Sequence, residues 1–279
     1  MTKEVTVGDI VHLIHTLYPP HLAQSWDSVG LICGNPDAPV HTILVGLDPV
    51  AALGKEAQQR QADFILTHHP LYLHATSSVA ATTPKGRLIH HLITNNIALM
   101  NAHTNADCAH NGVAHSLARR LDLRSTRPMD PLPENPSIGL GRIGELPVEM
   151  TFEQCANYVA SRIPASAPGL LAAGPRDALV KTMLVSPGAG DSFLERAREL
   201  GADVYFTADL RHHPASEHVE GGKPYLLCGT HWATESVWIE DAVHALRNAL
   251  SQHFPHTHIL VEESTIVSEP WNFRLPTKG

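Results

Sequence analysis

A chain of 279 residues with 43% apolar and 17% charged residues can bury a full core and has material for two domains or two packed halves. Its formal net charge of −8 opposes phosphate-driven binding to nucleic acid, and no basic cluster reverses that locally. No apolar run reaches the roughly 20 residues of a membrane span, the amino terminus has no apolar signal core, and four scattered cysteines without Cys-x-x-Cys spacing argue against a thiolate zinc site or a disulfide framework. The expected setting is the cytoplasm, with Cys33, Cys108, Cys155 and Cys228 reduced.

Thr6 is placed to cap a first helix whose apolar positions Val7, Ile10, Val11, Ile14 and Leu17 fall at helical spacing, with Asp9 three residues after the cap and Pro19-Pro20 at the end. After a loop containing Trp26-Asp27-Ser28-Val29-Gly30, Ile43 to Leu47 reads as a buried strand ending at Asp48, followed by a helix from about Val50 to Gln61. A second buried strand, Phe64-Ile65-Leu66, delivers Thr67, His68 and His69 at its carboxyl end, where open α/β sheets place their ligands, and Pro70 stops the ladder. Next come a helix capped by Thr83 with face Leu88, Ile89, Leu92 and Ile93, a strand from Ile97 to Met100, the segment His103-Thr104-Asn105-Ala106-Asp107, and a helix carrying Val113, Leu117 and Leu121. That last helix is expected to close a first half spanning 1–125. The alternation implies an α/β fold with a parallel sheet covered on both faces.

Residues 126–140 are proline-rich and lack an apolar period, so they are expected to be a linker, with a second α/β half at 141–279. In that half Thr151 and Gln154 form a capping box, Thr182 to Val185 reads as a strand, and Ser186-Pro187-Gly188-Ala189-Gly190 as a tight turn into a helix capped by Asp191. Thr42-Ile43-Leu44-Val45 matches Thr182-Met183-Leu184-Val185 at an offset of 140 (182 − 42), and Ala62 to Thr67 matches Ala202 to Thr207 at the same offset. A third match follows: the strand before His103-x-x-x-Asp107 resembles Tyr225 to Cys228 before His231-x-x-x-Glu235. The chain is therefore expected to be an internal duplication of two pseudo-symmetric α/β halves, with strand ends facing one another across a cleft.

Among 20 histidines a His-His pair is an ordinary occurrence. On an extended strand His68 and His69 would point to opposite sides, so they could serve two ions, or one could bind while the other packs. The repeat adds Asp107, His231 and Glu235, at neighbouring strand ends of the two copies. Five imidazole and carboxylate donors without a thiolate suit two divalent ions. Taken singly, Asp107 or Glu235 could instead complement a helix dipole.

Trp26-Asp27-Ser28-Val29-Gly30, Thr67-His68-His69-Pro70, Ala102 to Asp107, Gly141-Arg142-Ile143-Gly144, Gly201-Ala202-Asp203 with His213, and His231-Trp232-Ala233-Thr234-Glu235 occur in an order that resembles the Nif-three-like family. Many members of that family are named GTP cyclohydrolase I type 2 homologues. The resemblance covers nearly the whole chain. It implies a dinuclear site of Zn, Fe or Mn, with His68 and Asp107 on one ion, His69 and His231 on the other, and Glu235 shared. It also implies a metal site in the cleft between two similar α/β domains, and a toroidal homohexamer. Ser28 stands where the family has Asn, and Thr207-Ala208-Asp209 where it has Thr-Gly-Asp or Thr-Gly-Glu; neither departure touches a proposed ligand.

Two functions follow as expectations. The first is a metal-dependent hydrolase acting on a small molecule such as a nucleotide or phosphoester, with Asp48, His103, His212 and His213 as candidates for proton transfer. The second is a non-catalytic metal-handling or regulatory protein. His218, His253, His256 and His258 are expected at the surface.

Overall fold

The computed structural model of the chain describes residues 4–277. Its strands, in chain order, are β1 (Gly30–Cys33), β2 (Thr42–Gly46), β3 (Phe64–Thr67), β4 (Ala98–Asn101), β5 (Arg124–Leu132), β6 (Asn135–Thr151), β7 (Leu171–Ala173), β8 (Leu179–Ala189), β9 (Val204–Ala208), β10 (Tyr225–Gly229) and β11 (Leu260–Glu263). They form two sheets, one in the order β1-β4-β3-β2-β11 and one in the order β5-β6-β8-β9-β10-β7. The fold is thus mixed α/β in two halves. In each sheet three consecutive parallel strands (β2, β3, β4 and β8, β9, β10) are flanked by a short antiparallel strand, β1 or β7, on the side of the third.

The duplication extends to the hydrogen-bond register. Ile43 pairs with Phe64 and Met183 with Val204, and adding 140 to the first pair (43 + 140, 64 + 140) yields the second. Asp63 accepts from the backbone N–H groups of His41 and Thr42 at 2.7 and 3.0 Å, and Asp203 accepts from those of Lys181 and Thr182 at 2.8 and 2.9 Å. Gly34 and Gly174, also 140 apart (174 − 34), both have positive φ, at +127° and +157°, and an added Cβ would strike the first residue of the third strand in each copy, Ala98 or Tyr225. Both copies begin with a capping box, Thr6 with Asp9 and Thr151 with Gln154.

The compact units depart from the expected boundaries at 125 and 140. One comprises Met1–Ala109 with Ile239–Ser268, and the other His110–Trp238 with Glu269–Gly279. The helix Val113–Arg120, expected to close the first half, instead places Leu117 and Leu121 in the core of the second unit with Phe152, Val185 and Phe206. Conversely, most of the helix Trp238–His253 belongs to the first unit, whose sheet is completed by β11 pairing with β2. Helical periodicity identifies the buried face of a helix but not the sheet it covers. The expected linker 126–140 is instead most of a β-hairpin, because β5 and β6 pair antiparallel with Pro128 and Pro131 on the outermost strand of the sheet, where proline is tolerated. Ile93, assigned to a buried face, is 58% exposed. Asp191 caps no helix; a short 3₁₀ turn, Asp191–Phe193, precedes the helix Leu194–Glu199, and Asp191 accepts from the Arg211 N–H at 3.0 Å.

Burial alone would raise the Asp203 carboxyl, but the Lys223 ammonium and the N–H groups of Lys181 and Thr182 outweigh it and hold it down at about 2. Its contribution is therefore complete above the ordinary carboxylate value of about 4 and is lost as pH falls through about 2. Asp203→Asn is expected to lower stability by roughly 2 kcal/mol at neutral pH and to flatten the decline between about pH 4 and 2. Urea denaturation across that range checks it, and an unchanged acid limb would refute it.

Candidate metal centre

In the first unit β3 ends at Thr67, whose hydroxyl donates to the His69 carbonyl at 2.8 Å, while the His69 N–H donates to the Leu47 carbonyl at 3.0 Å. His68 and His69 follow the last residue of β3, with the His69 backbone still bonded to the segment that follows β2. Their ring centroids are 4.9 Å apart, and both rings lie near His103, at 5.2 and 5.6 Å. One ligand atom from each of these three rings falls within 4.8 Å of the others. Asp107, on the short helix Thr104–Cys108 that follows His103, brings Oδ1 to 3.8 Å from His68 Nε2.

The tautomers are set by the other ring nitrogens. His68 Nδ1 donates to the Ala102 carbonyl at 2.9 Å, His69 Nδ1 to Asp48 at 2.7 Å and His103 Nδ1 to Asp27 at 3.0 Å. Each ring therefore offers Nε2, with its orientation fixed by a carbonyl or carboxylate, the arrangement usual around metal-bound imidazoles. Asp27 is nearly inaccessible and also accepts from the Thr104 N–H at 3.1 Å and hydroxyl at 2.6 Å. Burial pushes its carboxyl up, yet the bonds from His103 and Thr104 prevail and hold it at about 2. Next to it Trp26, 60% exposed, stands edge-on to the His103 ring at 6.0 Å.

In the second unit Thr230 caps the helix His231–Glu235, accepting from the Ala233 N–H at 3.3 Å. The Thr234 hydroxyl donates to the His231 carbonyl at 2.9 Å and accepts from the Gly188 N–H at 3.0 Å. His231 Nδ1 donates to Asp209 at 2.7 Å, and Nε2 lies 3.1 Å from Glu235 Oε1. Burial opposes charging of this imidazole, but the two carboxylates outweigh it and raise its pKa well above the ordinary value. Two carboxylates converging on one imidazole stabilise positive charge, so imidazole and carboxylate donors without a thiolate fit a divalent cation in this unit as they do in the first.

The expected residues are thus grouped as His68, His69 and Asp107 within one unit and His231 and Glu235 within the other. Among the proton-transfer candidates, Asp48 orients His69 and His103 joins the histidine cluster, whereas His212 and His213 are exposed and pack ring against ring, centroids 5.2 Å apart. His218, expected at the surface, is 5% exposed and bonds through Nε2 to the Pro224 carbonyl at 2.9 Å and through Nδ1 to Arg198 at 3.2 Å. The sequence reading assigned no role to Asp27, Asp209 or Gly188. The repeat held the signal for the last two, because Asp209 and Gly188 are the positional equivalents of His69 and Asp48 (69 + 140, 48 + 140).

The sequence profile of Duf34/NIF3 (NGG1p interacting factor 3) matches residues 5–266. The chain belongs to this family. A Streptomyces coelicolor member named "GTP cyclohydrolase 1 type 2 homolog" is 43% identical over 267 residues, covering 95% of this chain and 93% of that one. The Duf34/NIF3 fold recurs in a Bacillus cereus protein related to NIF3, with a TM-score of 0.91 at 22% identity over 98% of this chain and all of the other. It recurs too in a Staphylococcus aureus hypothetical protein, with a TM-score of 0.90 at 26% identity over the same shares. No helix among the described residues is long and apolar enough to cross a membrane.

Gly188 adopts φ +71°, and a Cβ there would collide with Glu235 Oε1 and come within 3.2 Å of His231 Nε2. Gly188→Ala is expected to destabilise the protein by about 1–2 kcal/mol through the left-handed backbone and this collision. An unchanged urea midpoint would refute both the backbone cost and the collision.

Proposed function

We propose that the chain is a dinuclear metal protein in which His68 and Asp107 hold one divalent ion, His69 and His231 a second, and Glu235 bridges both. We further propose that it acts as a metal-dependent hydrolase on a nucleotide or phosphoester. The observation that supports the reading is the set of Nδ1 bonds: His68, His69 and His231 each have that nitrogen engaged by a carbonyl or carboxylate, so Nε2 is the atom each would give an ion, which at His231 would replace the proton shared with Glu235 at 3.1 Å. The curated relative's name, a GTP cyclohydrolase 1 type 2 homolog, agrees with hydrolytic chemistry on a nucleotide. A bound pair of divalent ions supplies Lewis-acid charge and acidifies water. For proton transfer we assign His103, because its Nδ1 is held by the low-pKa Asp27 while the ring sits beside His68 and His69.

Zn, Fe and Mn all suit this donor set. Reconstituted protein should contain two ions per chain by elemental analysis; trace metal alone would refute the site. His69→Ala should weaken chiefly one ion. Glu235→Gln, which keeps the side chain's size but removes its charge, should weaken both and abolish any hydrolysis that needs the pair. If Glu235→Gln keeps both ions at wild-type affinity and only melts slightly earlier, Glu235 is a helix-terminus residue instead of a bridge.

The family resemblance extends the proposal to a homohexamer. Light scattering at micromolar concentration tests it, and a mass near that of one 30.3 kDa chain would reject it.

A further inference from the structure

A cavity of about 320 Å³ opens beside His231, lined entirely by residues of the second unit. That size is at the lower end for small-molecule sites, roughly 300–1,000 Å³, and suits one ring system rather than a large ligand. Asp209, His231, Trp232, Glu269, Pro270 and Trp271 are among its walls. Two polar atoms of these walls are buried without a hydrogen-bond partner, Trp232 Nε1 and Glu269 Oε2. An indole N–H can only donate and a carboxylate oxygen can only accept, so the residues of the wall carry one unmet donor and one unmet acceptor. The other Glu269 oxygen is engaged, accepting from the Trp271 N–H at 3.1 Å, which ties the 66%-exposed Trp271 ring to the cavity wall. Among the described residues no lysine or arginine lines the cavity, and two carboxylates do.

We propose that this cavity binds a flat nitrogen heterocycle that gives an N–H to Glu269, accepts from the Trp232 indole and stacks on Trp271. Two carboxylates, Asp209 and Glu269, face the cavity against one imidazole, His231, so the lining favours the ring over the charged group of a substrate. Flat rings suit the indole face whatever their sequence of atoms, while the donor–acceptor pair fixes which edge points inward. The inference deepens the proposed function by naming the part of the substrate held beside His231, and it rests on that reading only for its link to chemistry.

The test uses the full-length protein, both metal-loaded and chelator-stripped, with guanosine, adenosine and ribose 5-phosphate as probes, read by tryptophan fluorescence and calorimetry. At least one nucleoside is expected to bind, and ribose 5-phosphate not to displace it from the stripped protein. Trp232→Phe, which keeps a ring but removes the N–H, and Glu269→Gln should each weaken nucleoside binding about tenfold, equivalent to about 1.4 kcal/mol, and Trp271→Ala at least as much. Because Trp271 is exposed, its truncation tests the stacking surface without disturbing the core. Metal content should stay at the wild-type level in all three variants. Nucleoside binding that survives chelation supports the cavity even if no metal is found. The inference is overturned if metal-loaded protein binds neither nucleoside, which would leave the metal reading intact, if all three variants bind like wild type, or if ribose 5-phosphate displaces the nucleoside.

Discussion

A single carboxylate at the start of the second strand of each copy determines where that copy's side chains end up. Asp63 ties down the N–H groups of His41 and Thr42, and Asp203 those of Lys181 and Thr182, so each pair of parallel strands starts in a fixed register. Strand side chains alternate with period two, and a slip of one residue would turn every one of them to the opposite face. With the start fixed, the carboxyl ends are fixed too. His69 then arrives next to Asp48, and Asp209 arrives within reach of His231.

The two copies share a scaffold but not the roles built on it. Where the first copy has His68 and His69 the second has Ala208 and Asp209, so one strand end presents imidazoles and the other a carboxylate that orients an imidazole. Asp48 has Gly188 as its counterpart, and the absent side chain leaves the space that the Glu235 carboxylate occupies. A glutamate stands where the first copy has Asp107, and its longer stem reaches back to its own His231 at 3.1 Å. Exchanging one residue type at each of a few equivalent positions thus converts a symmetric frame into two unlike donor sets.

Much of this was legible in the sequence because it is written in local patterns. The capping boxes at Thr6 and Thr151, the apolar strands that run into Thr67 and Thr207, and the paired His-x-x-x-acid segments all depend on near neighbours, and they appear in the structure where their spacing puts them. The unread features depend on distant partners. Asp27 matters because His103, 76 residues later, needs an acceptor, and no local pattern announces that bond. The proline-rich hairpin looked like a linker because it lies at a sheet edge, where prolines and polar residues replace the apolar run of a central strand. The closeness of the His68 and His69 rings, 4.9 Å between centroids, is likewise not written in strand alternation, which sets adjacent side chains on opposite sides.

The exchange of closing helices also constrains how the protein can be made. The first unit holds residues up to Ala109 and then lacks Ile239–Ser268, so its sheet has β2 as an uncovered edge until β11 emerges from the ribosome. At typical elongation rates of about 5–20 residues per second the intervening stretch takes roughly 7 to 30 seconds to synthesise, while the exposed edge is free to pair with other chains. The amino-terminal segment therefore does not mature as an independent module. Its completion awaits the far end of the polypeptide, which puts a premium on holding nascent chains apart and makes a cut near the middle of the gene a poor way to obtain either unit alone.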